Sequence, residues 1–534
     1  MIFLSRVIKT ALNKRLNSVK PQGKITSTVY LSIMHTSDVQ HLSRLVFRKS
    51  VLAVNPPDLV QREILVLNST LHIREQCYRL NKNCYLIGFG KCVLGMASKV
   101  EHILGKDLQR GIISVPKGYM TSNRLDVNDL SDSSRISIFE GAENNLPDEG
   151  SETASKEIKK LAESLQESDI LIVLISGGGS SLLSLSKPPI SLREKLEVIK
   201  LLGSSGANIV EMNTVRKRLS LVKGGGLASI AYPCKMVALI LSDVIGDPLD
   251  IIASGPTVGN HDPDDAAIKI IEKYELTDKV SLSVLDAIKR PSDINQTLAD
   301  HVQNVLIGNN RIALEAASRE CAAFGFNPVI ITDSISGFVS EVADLYMRLI
   351  SLLCKLLQEK VALGDFINEI NPILDHMKVD KHVKESIYAY VLNHGTEAEK
   401  FCLIFGGEPT VKVTGDGLGG RNQELALRIG SKLYEHETND SDLVNCDVIF
   451  LSGGTDGVDG PTNAAGALTY SGQIKHAIEE GIDPQDYLRR NDSHNFYRHF
   501  NKGRDLIVTG HTGVNVMDIH LLVVQKKIGS LSPL

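Results

Sequence analysis

The sequence predicts an α/β protein built on parallel, doubly wound sheets. Three observations carry that prediction. Short apolar runs rich in β-branched residues recur along the chain, each ends in Gly, Ser, Thr or Asp, and helix-like sequence often follows. The runs are continuous rather than alternating, as strands buried on both faces require. Taken in order, they are Cys84-Tyr-Leu-Ile-Gly-Phe-Gly-Lys91, Ile170-Leu-Ile-Val-Leu-Ile-Ser-Gly-Gly-Gly179, Met236-Val-Ala-Leu-Ile-Leu-Ser-Asp243 and Asn304-Val-Leu-Ile-Gly-Asn-Asn310. Pro328-Val-Ile-Ile-Thr-Asp333, Val448-Ile-Phe-Leu-Ser-Gly-Gly454 and Leu506-Ile-Val-Thr-Gly510 complete the series. In such sheets ligands bind beyond the carboxyl ends of the strands. The polar glycine clusters lie at those ends, so the fold argument is also a site argument.

Between Tyr346 and Lys400 the chain is rich in Leu, Lys and Glu and has no glycine cluster. This stretch reads as helices that join the two halves or cover one of them. Thr410-Val-Lys-Val-Thr414 alternates after Gly-Gly-Glu-Pro and reads as a strand leaving a turn, which would make the second sheet mixed.

The length of 534 residues exceeds the ~250–300 at which single cores stop growing, so more than one domain is expected. The boundaries drawn are 1–36 for a leader, 37–300 for a first α/β domain and 301–534 for a second, with the helical insertion near 346–400. The net charge of −5 gives no reason to expect nucleic acid, which calls for a basic excess. No run reaches the ~18 apolar residues of a membrane span. The eight cysteines include no CxxC pair and several sit in apolar runs, so buried reduced thiols are expected.

Met1 to Thr36 contains no Asp or Glu, while Arg6, Lys9, Lys14, Arg15, Lys20 and Lys24 are spread through it. Ile2, Phe3, Val7, Ile8 and Leu12 could share one helical face. An amphipathic, basic, acid-free leader resembles a mitochondrial presequence. The alternative is a basic tail on a cytoplasmic enzyme.

Five constellations point to anion and phosphate chemistry. Ser176-Gly177-Gly178-Gly179-Ser180-Ser181 joins a buried strand to a helix start, where glycines let backbone N–H groups approach an anion. It is not a Walker P-loop, because the Gly-Lys-Ser/Thr ending is missing. Gly88-Phe-Gly90-Lys91 sets a lysine at a strand exit, a weak signal when taken alone. Arg216, Lys217, Arg218 and Lys223 lead into Gly224-Gly225-Gly226, a local basic patch that suits either a polyanion or a solvated helix face. Asp243 and Asp247, four residues apart after a strand, could hold a divalent cation or simply form turns. Glu408 and the segment Arg421-Asn422-Gln423-Glu424 open a helix-like stretch as a carboxylate or phosphate receptor, and Asp456 and Asp459 add carboxylates. His511 reads as structural.

Together, and in this order, these motifs resemble the class II glycerate kinases, whose C-terminal part is the MOFRL domain. The matching text includes Asn213-Thr-Val-Arg216, Ser220-Leu-Val-Lys-Gly-Gly225, Ser242-Asp-Val-Ile-Gly-Asp247, Ser254-Gly-Pro-Thr257, Gly419-Gly-Arg-Asn-Gln-Glu424, Gly453-Gly-Thr-Asp-Gly-Val-Asp-Gly460 and Gly510-His-Thr-Gly513. Where many bacterial members read Gly-His-Pro-x-Pro-Asp, this chain has Gly141-Ala-Glu-Asn-Asn-Leu-Pro-Asp148, so no histidine role carries over.

The resemblance implies two three-layer α/β/α domains, the first Rossmann-like and the second a mixed-sheet MOFRL domain, with the active site in the cleft between them. It implies transfer of a phosphoryl group from ATP with Mg²⁺ to D-glycerate, giving 2-phosphoglycerate. On that basis Lys91, Arg421 and Asp243 are the expected catalytic residues. Ser176, Gly177, Gly178, Gly179, Ser180, Arg216, Lys223, Gly224 and Gly225 are expected at phosphate, Glu408, Asn422 and Glu424 at substrate, and Asp243, Asp247 and Asp456 at metal. Lys91 and Arg421 are expected on opposite walls. The carboxylate that takes the hydroxyl proton stays open, as does the choice between monomer and homodimer. An NAD(P)H-dependent hydroxypyruvate reductase is the enzymatic rival, but no Gly-x-Gly-x-x-Gly opens a helix here. A catalytically inactive nucleotide-binding protein is the other.

Overall fold

The computed structural model describes residues 34–119, 133–290, 301–394, 398–439 and 441–527. The leader expected over 1–36 lies almost wholly outside them. A small antiparallel meander comes first, β1 (Ile64–Leu67), β2 (Thr70–Ile73) and β3 (Gln76–Arg79). Then follow β4 (Cys84–Phe89), β5 (Leu108–Pro116), β6 (Ile136–Gly141), β7 (Ile170–Ile175), β8 (Lys235–Leu241) and β9 (Val302–Gly308), which form one all-parallel sheet in the order β6-β5-β4-β7-β8-β9. The chain winds outward from β4 in one direction and from β7 in the other. That is the doubly wound order whose crevice lies where the winding reverses.

Continuous apolar runs make sense in this sheet because both faces are covered. Along β7, Ile170, Ile172 and Leu174 join one apolar cluster and Leu171, Val173 and Ile175 another. The domain break drawn at residue 300 falls just before β9, which pairs with β8 and closes the edge of the first sheet.

The second sheet comprises β10 (Pro328–Ile335), β11 (Lys400–Gly407), β12 (Cys446–Gly454), β13 (Gly466–Tyr470), β14 (Leu506–Ile507) and β15 (Asp518–Lys526), in the order β10-β11-β15-β12-β13-β14. It is mixed, but not through Thr410–Thr414. That segment makes only an isolated bridge from Thr410 to Phe338. The sheet is mixed because β15 inserts antiparallel between β11 and β12, and β13 pairs antiparallel with β12. Helices Val339–Leu357, Leu363–His376 and Lys381–His394 fill the interval between β10 and β11 and share an apolar cluster with one face of this sheet. They cover the second half rather than joining the two. No helix among the described residues is long and apolar enough to cross a membrane. Seven cysteines are buried free thiols, and Cys77, on the small meander, is exposed.

The helix Thr36–Ala53 belongs by sequence to the first half but packs on the second. Thr36 Oγ1 donates to Asp447 (3.1 Å), Gln525 Nε2 to the Met34 carbonyl (2.6 Å) and Arg44 Nη1 to the Leu506 carbonyl (2.9 Å). Phe47 is buried against Gly453, where a Cβ would stand 2.7 Å from the ring. The same apolar cluster holds Phe47, Leu86 and Ile172 of the first half and Ile449, Leu451 and Leu521 of the second, so one face of each sheet drains into a shared core. Phe47→Ala should therefore destabilise the whole protein, by about 3–5 kcal/mol as for other buried aromatic truncations. Denaturant unfolding checks this; an unchanged midpoint would show that the helix is not a structural strap.

Candidate active site

The reversal point between β4 and β7 is built by backbone contact. The Lys91 N–H donates to the Gly177 carbonyl (2.8 Å) and the Cys92 N–H to Ser176 Oγ (3.0 Å). Gly90 has φ +143°, and a Cβ there would fall 2.2 Å from Ser176 Oγ. A Cβ on Gly177 would fall 2.1 Å from Asp243 Oδ2, so the end of β8 is drawn against the same turn. Lys91 emerges from this knot half-buried, and its ammonium makes no hydrogen bond or ion pair among the described residues.

Lys91 lines two cavities of about 390 Å³ each. One lies between the halves and is lined by Lys91, Lys117 and Tyr119 from the first and by Asp456, His511 and Asn515 from the second. The other lies within the first half. Ser176, Gly178, Gly179 and Ser180 line it together with Arg216, Lys223 and Asp243, and Lys195 joins them. Lys195 was missed because its surroundings, Leu192-Arg-Glu-Lys-Leu-Glu-Val198, read as an ordinary solvated helix.

Burial disfavours charge on all three deep cations. It pushes Lys195 down to about 8, with Arg216 adding to the effect and Glu152 opposing it. Burial, then Lys195 and Arg216, holds Lys223 well below its ordinary value, and burial lowers Arg216. Gly224 and Gly225 do not line this cavity. Their N–H groups donate to the Ser254 and Gly255 carbonyls, so these glycines shape the turn behind the cavity.

Asp243 spans the two halves, accepting from Asn515 Nδ2 at 2.9 Å. Burial raises its pKa, Lys91 opposes the rise and Asp456 adds to it. Burial also raises Asp456, against the Val458 N–H, Arg421 and Lys91. Asp456 therefore stands in the fields of both cations expected on the two walls. Asp247 is not part of this group. It has φ +54°, accepts from Asn309 Nδ2 (2.6 Å) and lines neither cavity.

The helix Arg421–Asn439 is not an open anion receptor. Asp459 already fills its N-terminus, accepting from the backbone N–H groups of Asn422 (3.0 Å) and Gln423 (2.9 Å) and from Gln423 Nε2 (2.9 Å). Asn422 is fully buried and takes a hydrogen bond from Ser452 Oγ (2.6 Å). Glu424 is buried between Arg428 (2.7 Å) and Asn491 (2.9 Å). Neither is free to bind substrate, so both sequence expectations are corrected. Arg421 grips fully buried Asp518 with Nε (2.6 Å) and Nη2 (2.8 Å) and pairs with Glu408 at 3.2 Å. Burial works against its charge, but Asp518 and Glu408 hold its pKa above the ordinary value. The guanidinium thus anchors two carboxylates at the ends of β11 and β15. Asp518 was missed because a lone Asp opening an apolar strand carries no sequence signal.

Residues 42–289 match a domain of unknown function, DUF4147, and residues 401–518 match the MOFRL family. A Danio rerio protein named glycerate kinase is 43% identical over 501 residues, 91% of this chain and 98% of that protein. A Thermotoga maritima protein named D-glycerate 2-kinase is 34% identical over 488 residues, 90% of this chain and 98% of that protein. The crystal structure of a glycerate kinase from Thermotoga maritima superposes with a TM-score of 0.71 at 32% identity, covering 92% of this chain and all of the other. These likenesses span both halves and the cleft between them, and the chain belongs to the MOFRL-family glycerate kinases.

Proposed function

We propose that this protein transfers the γ-phosphoryl group of ATP to the 2-hydroxyl of D-glycerate, giving 2-phosphoglycerate and ADP. The observation that carries this reading is Lys91, whose ammonium has no hydrogen bond or ion pair among the described residues and borders two cavities, one walled by cations and one reached by the carboxylate of Asp456 from the other half. Phosphoryl transfer asks mainly for alignment and for neutralisation of equatorial charge. The glycerate oxygen forms a bond to the γ-phosphorus as the bond to the bridging oxygen of ADP breaks. The hydroxyl proton passes to a carboxylate of the cleft. The names of the relatives favour the kinase over a reductase or an inactive protein, and the 2-position rests on the name of the Thermotoga relative.

No cluster of three or more His, Cys, Asp or Glu side chains that could hold a metal occurs among the described residues. Mg²⁺ is commonly bound by one or two carboxylates plus substrate phosphates rather than by a protein cage. Asp243 and Asp456 are the residues that would hold it, and its charge would offset that of the phosphates.

Lys91→Ala should leave the fold intact, because its ammonium makes no hydrogen bond or ion pair among the described residues, and should cut kcat by ~10²–10³. Steady-state kinetics with a melting curve decides it, and near-normal turnover would remove Lys91 from the mechanism. ³¹P NMR of the product from ATP, Mg²⁺ and D-glycerate should show 2-phosphoglycerate; the 3-phosphate, or no transfer, would overturn the assignment.

We infer further, from composition alone, that the leader directs the protein to mitochondria. Deleting residues 1–33 should leave kinase activity unchanged and abolish import. The same diffuse signal from tagged full-length and truncated forms would refute this.

A further inference from the structure

The cavity within the first half holds an electrostatic problem that the chain does not solve by itself. Lys195 and Lys223 are 2% and 1% exposed, and Arg216 is half-buried beside them. None of the three makes an ion pair among the described residues. Lys195 donates to Ser184 Oγ (3.1 Å), Lys223 to the Ser180 (2.8 Å) and Ala253 (3.3 Å) carbonyls, and Arg216 to Asn213 Oδ1 (3.1 Å). These are neutral acceptors, and they leave ammonium and guanidinium hydrogens to spare. The only carboxylate among the lining residues is Asp243, which accepts from Asn515 and feels Lys91. Glu152, whose charge reaches Lys195, pairs with Lys156 on the outer helix.

Buried like charges without a counter-ion are unfavourable unless a ligand supplies one. Lys195 is also the residue that departs from its own helix. Arg193 and Glu197 of Leu192–Ser204 pair in solvent, while Lys195 turns inward.

We propose that Lys195, Arg216 and Lys223 form the oxyanion subsite of this enzyme, and that Lys195 is a specificity-determining residue receiving the anionic group of one substrate. This rests on the kinase reading, in which two substrates carry such groups: the phosphate chain of the nucleotide and the carboxylate of glycerate. Lys91 borders the same cavity, so an anion seated on the three cations ends beside the ammonium at the reacting phosphorus.

The test is Lys195→Met, which keeps the alkyl stem and removes the charge. The melting temperature should hold or rise, since a repulsive buried cation is gone. The KM for one substrate should rise at least tenfold, the loss expected for a charged hydrogen bond. A rise for ATP alone assigns the subsite to the nucleotide phosphates, and a rise for D-glycerate alone assigns it to the carboxylate. Unchanged KM for both overturns the proposal and leaves a structural lysine. Inorganic phosphate provides a readout independent of glycerate turnover. It should raise the melting temperature of the wild type and not of the variant, and equal shifts in both overturn the subsite even if the chain proves to act on another acceptor. Should Lys195→Met fail to fold, Arg216→Met, at a half-buried position, is read by the same two quantities.

Discussion

The turns that leave β4 and β7 close on each other and on Asp243 after β8 because two positions carry no side chain. A Cβ at Gly90 would overlap Ser176 Oγ, and one at Gly177 would overlap the Asp243 carboxylate. Removing those two atoms lets β4, β7 and β8 end within contact of one another. The hydrogen bond from the Lys91 N–H to the Gly177 carbonyl then fixes where the lysine leaves the sheet. Everything assigned to the site inherits its position from this approach. The ammonium of Lys91 is aimed by backbone rather than by a partner side chain, so it stays available, and Asp243 is held where Asn515 of the other half can reach it.

The cleft is not a hinge between two independent bodies. Domain motion is the default where an interface is small and polar. Here one apolar cluster runs from the first sheet through the helices Thr36–Ala53, Val93–Leu104 and Asn310–Ala323 to the second sheet. Phe47 lies within that cluster, and a rigid-body opening would expose it. The geometry therefore favours a largely pre-assembled site, in which the Asn515–Asp243 contact sits at the rim of a shared core.

The parts of this architecture that were legible in the sequence are those with a local signature. Continuous apolar runs ending in Gly, Ser, Thr or Asp located β4, β7, β8, β9, β10 and β12, and the glycine clusters located the turn from Ser176 to Ser180. Partnership was not legible. Asn422 and Glu424 look like ligand-binding groups in a glycine-rich segment, and only the fold shows that Asp459, Ser452, Arg428 and Asn491 already satisfy the segment. Lys195 fails in the opposite sense, because a lysine on an amphipathic helix is indistinguishable from a surface residue until its burial is known. Thr410–Thr414 shows a third limit. An alternating run satisfies the strand pattern, but the segment makes a single bridge, from Thr410 to Phe338. The mixing of the second sheet instead comes from β15, more than a hundred residues further on.

The two walls of the cleft differ in polarity, and Arg421 is the reason the second wall is not simply cationic. Its guanidinium binds Asp518 through two nitrogens and Glu408 through one, so this triad carries a net negative charge. Asp456 adds to it. The cavity within the first half, which Lys91 joins to the cleft, holds Lys195, Arg216 and Lys223, with Asp243 the one carboxylate among its described lining residues. A phosphate chain is attracted to the first wall and repelled by the second, whereas a hydroxyl about to lose its proton is better served by carboxylates than by more cations. The same asymmetry bears on what enters. A free polyanion reaching across to the carboxylates meets repulsion there, and a polyanion already carrying a divalent cation does not. Arg421 thus shapes the field of the site by holding carboxylates in place, and the Lys91 ammonium, without a hydrogen bond or ion pair among the described residues, is left free to serve whatever anion the two cavities hold.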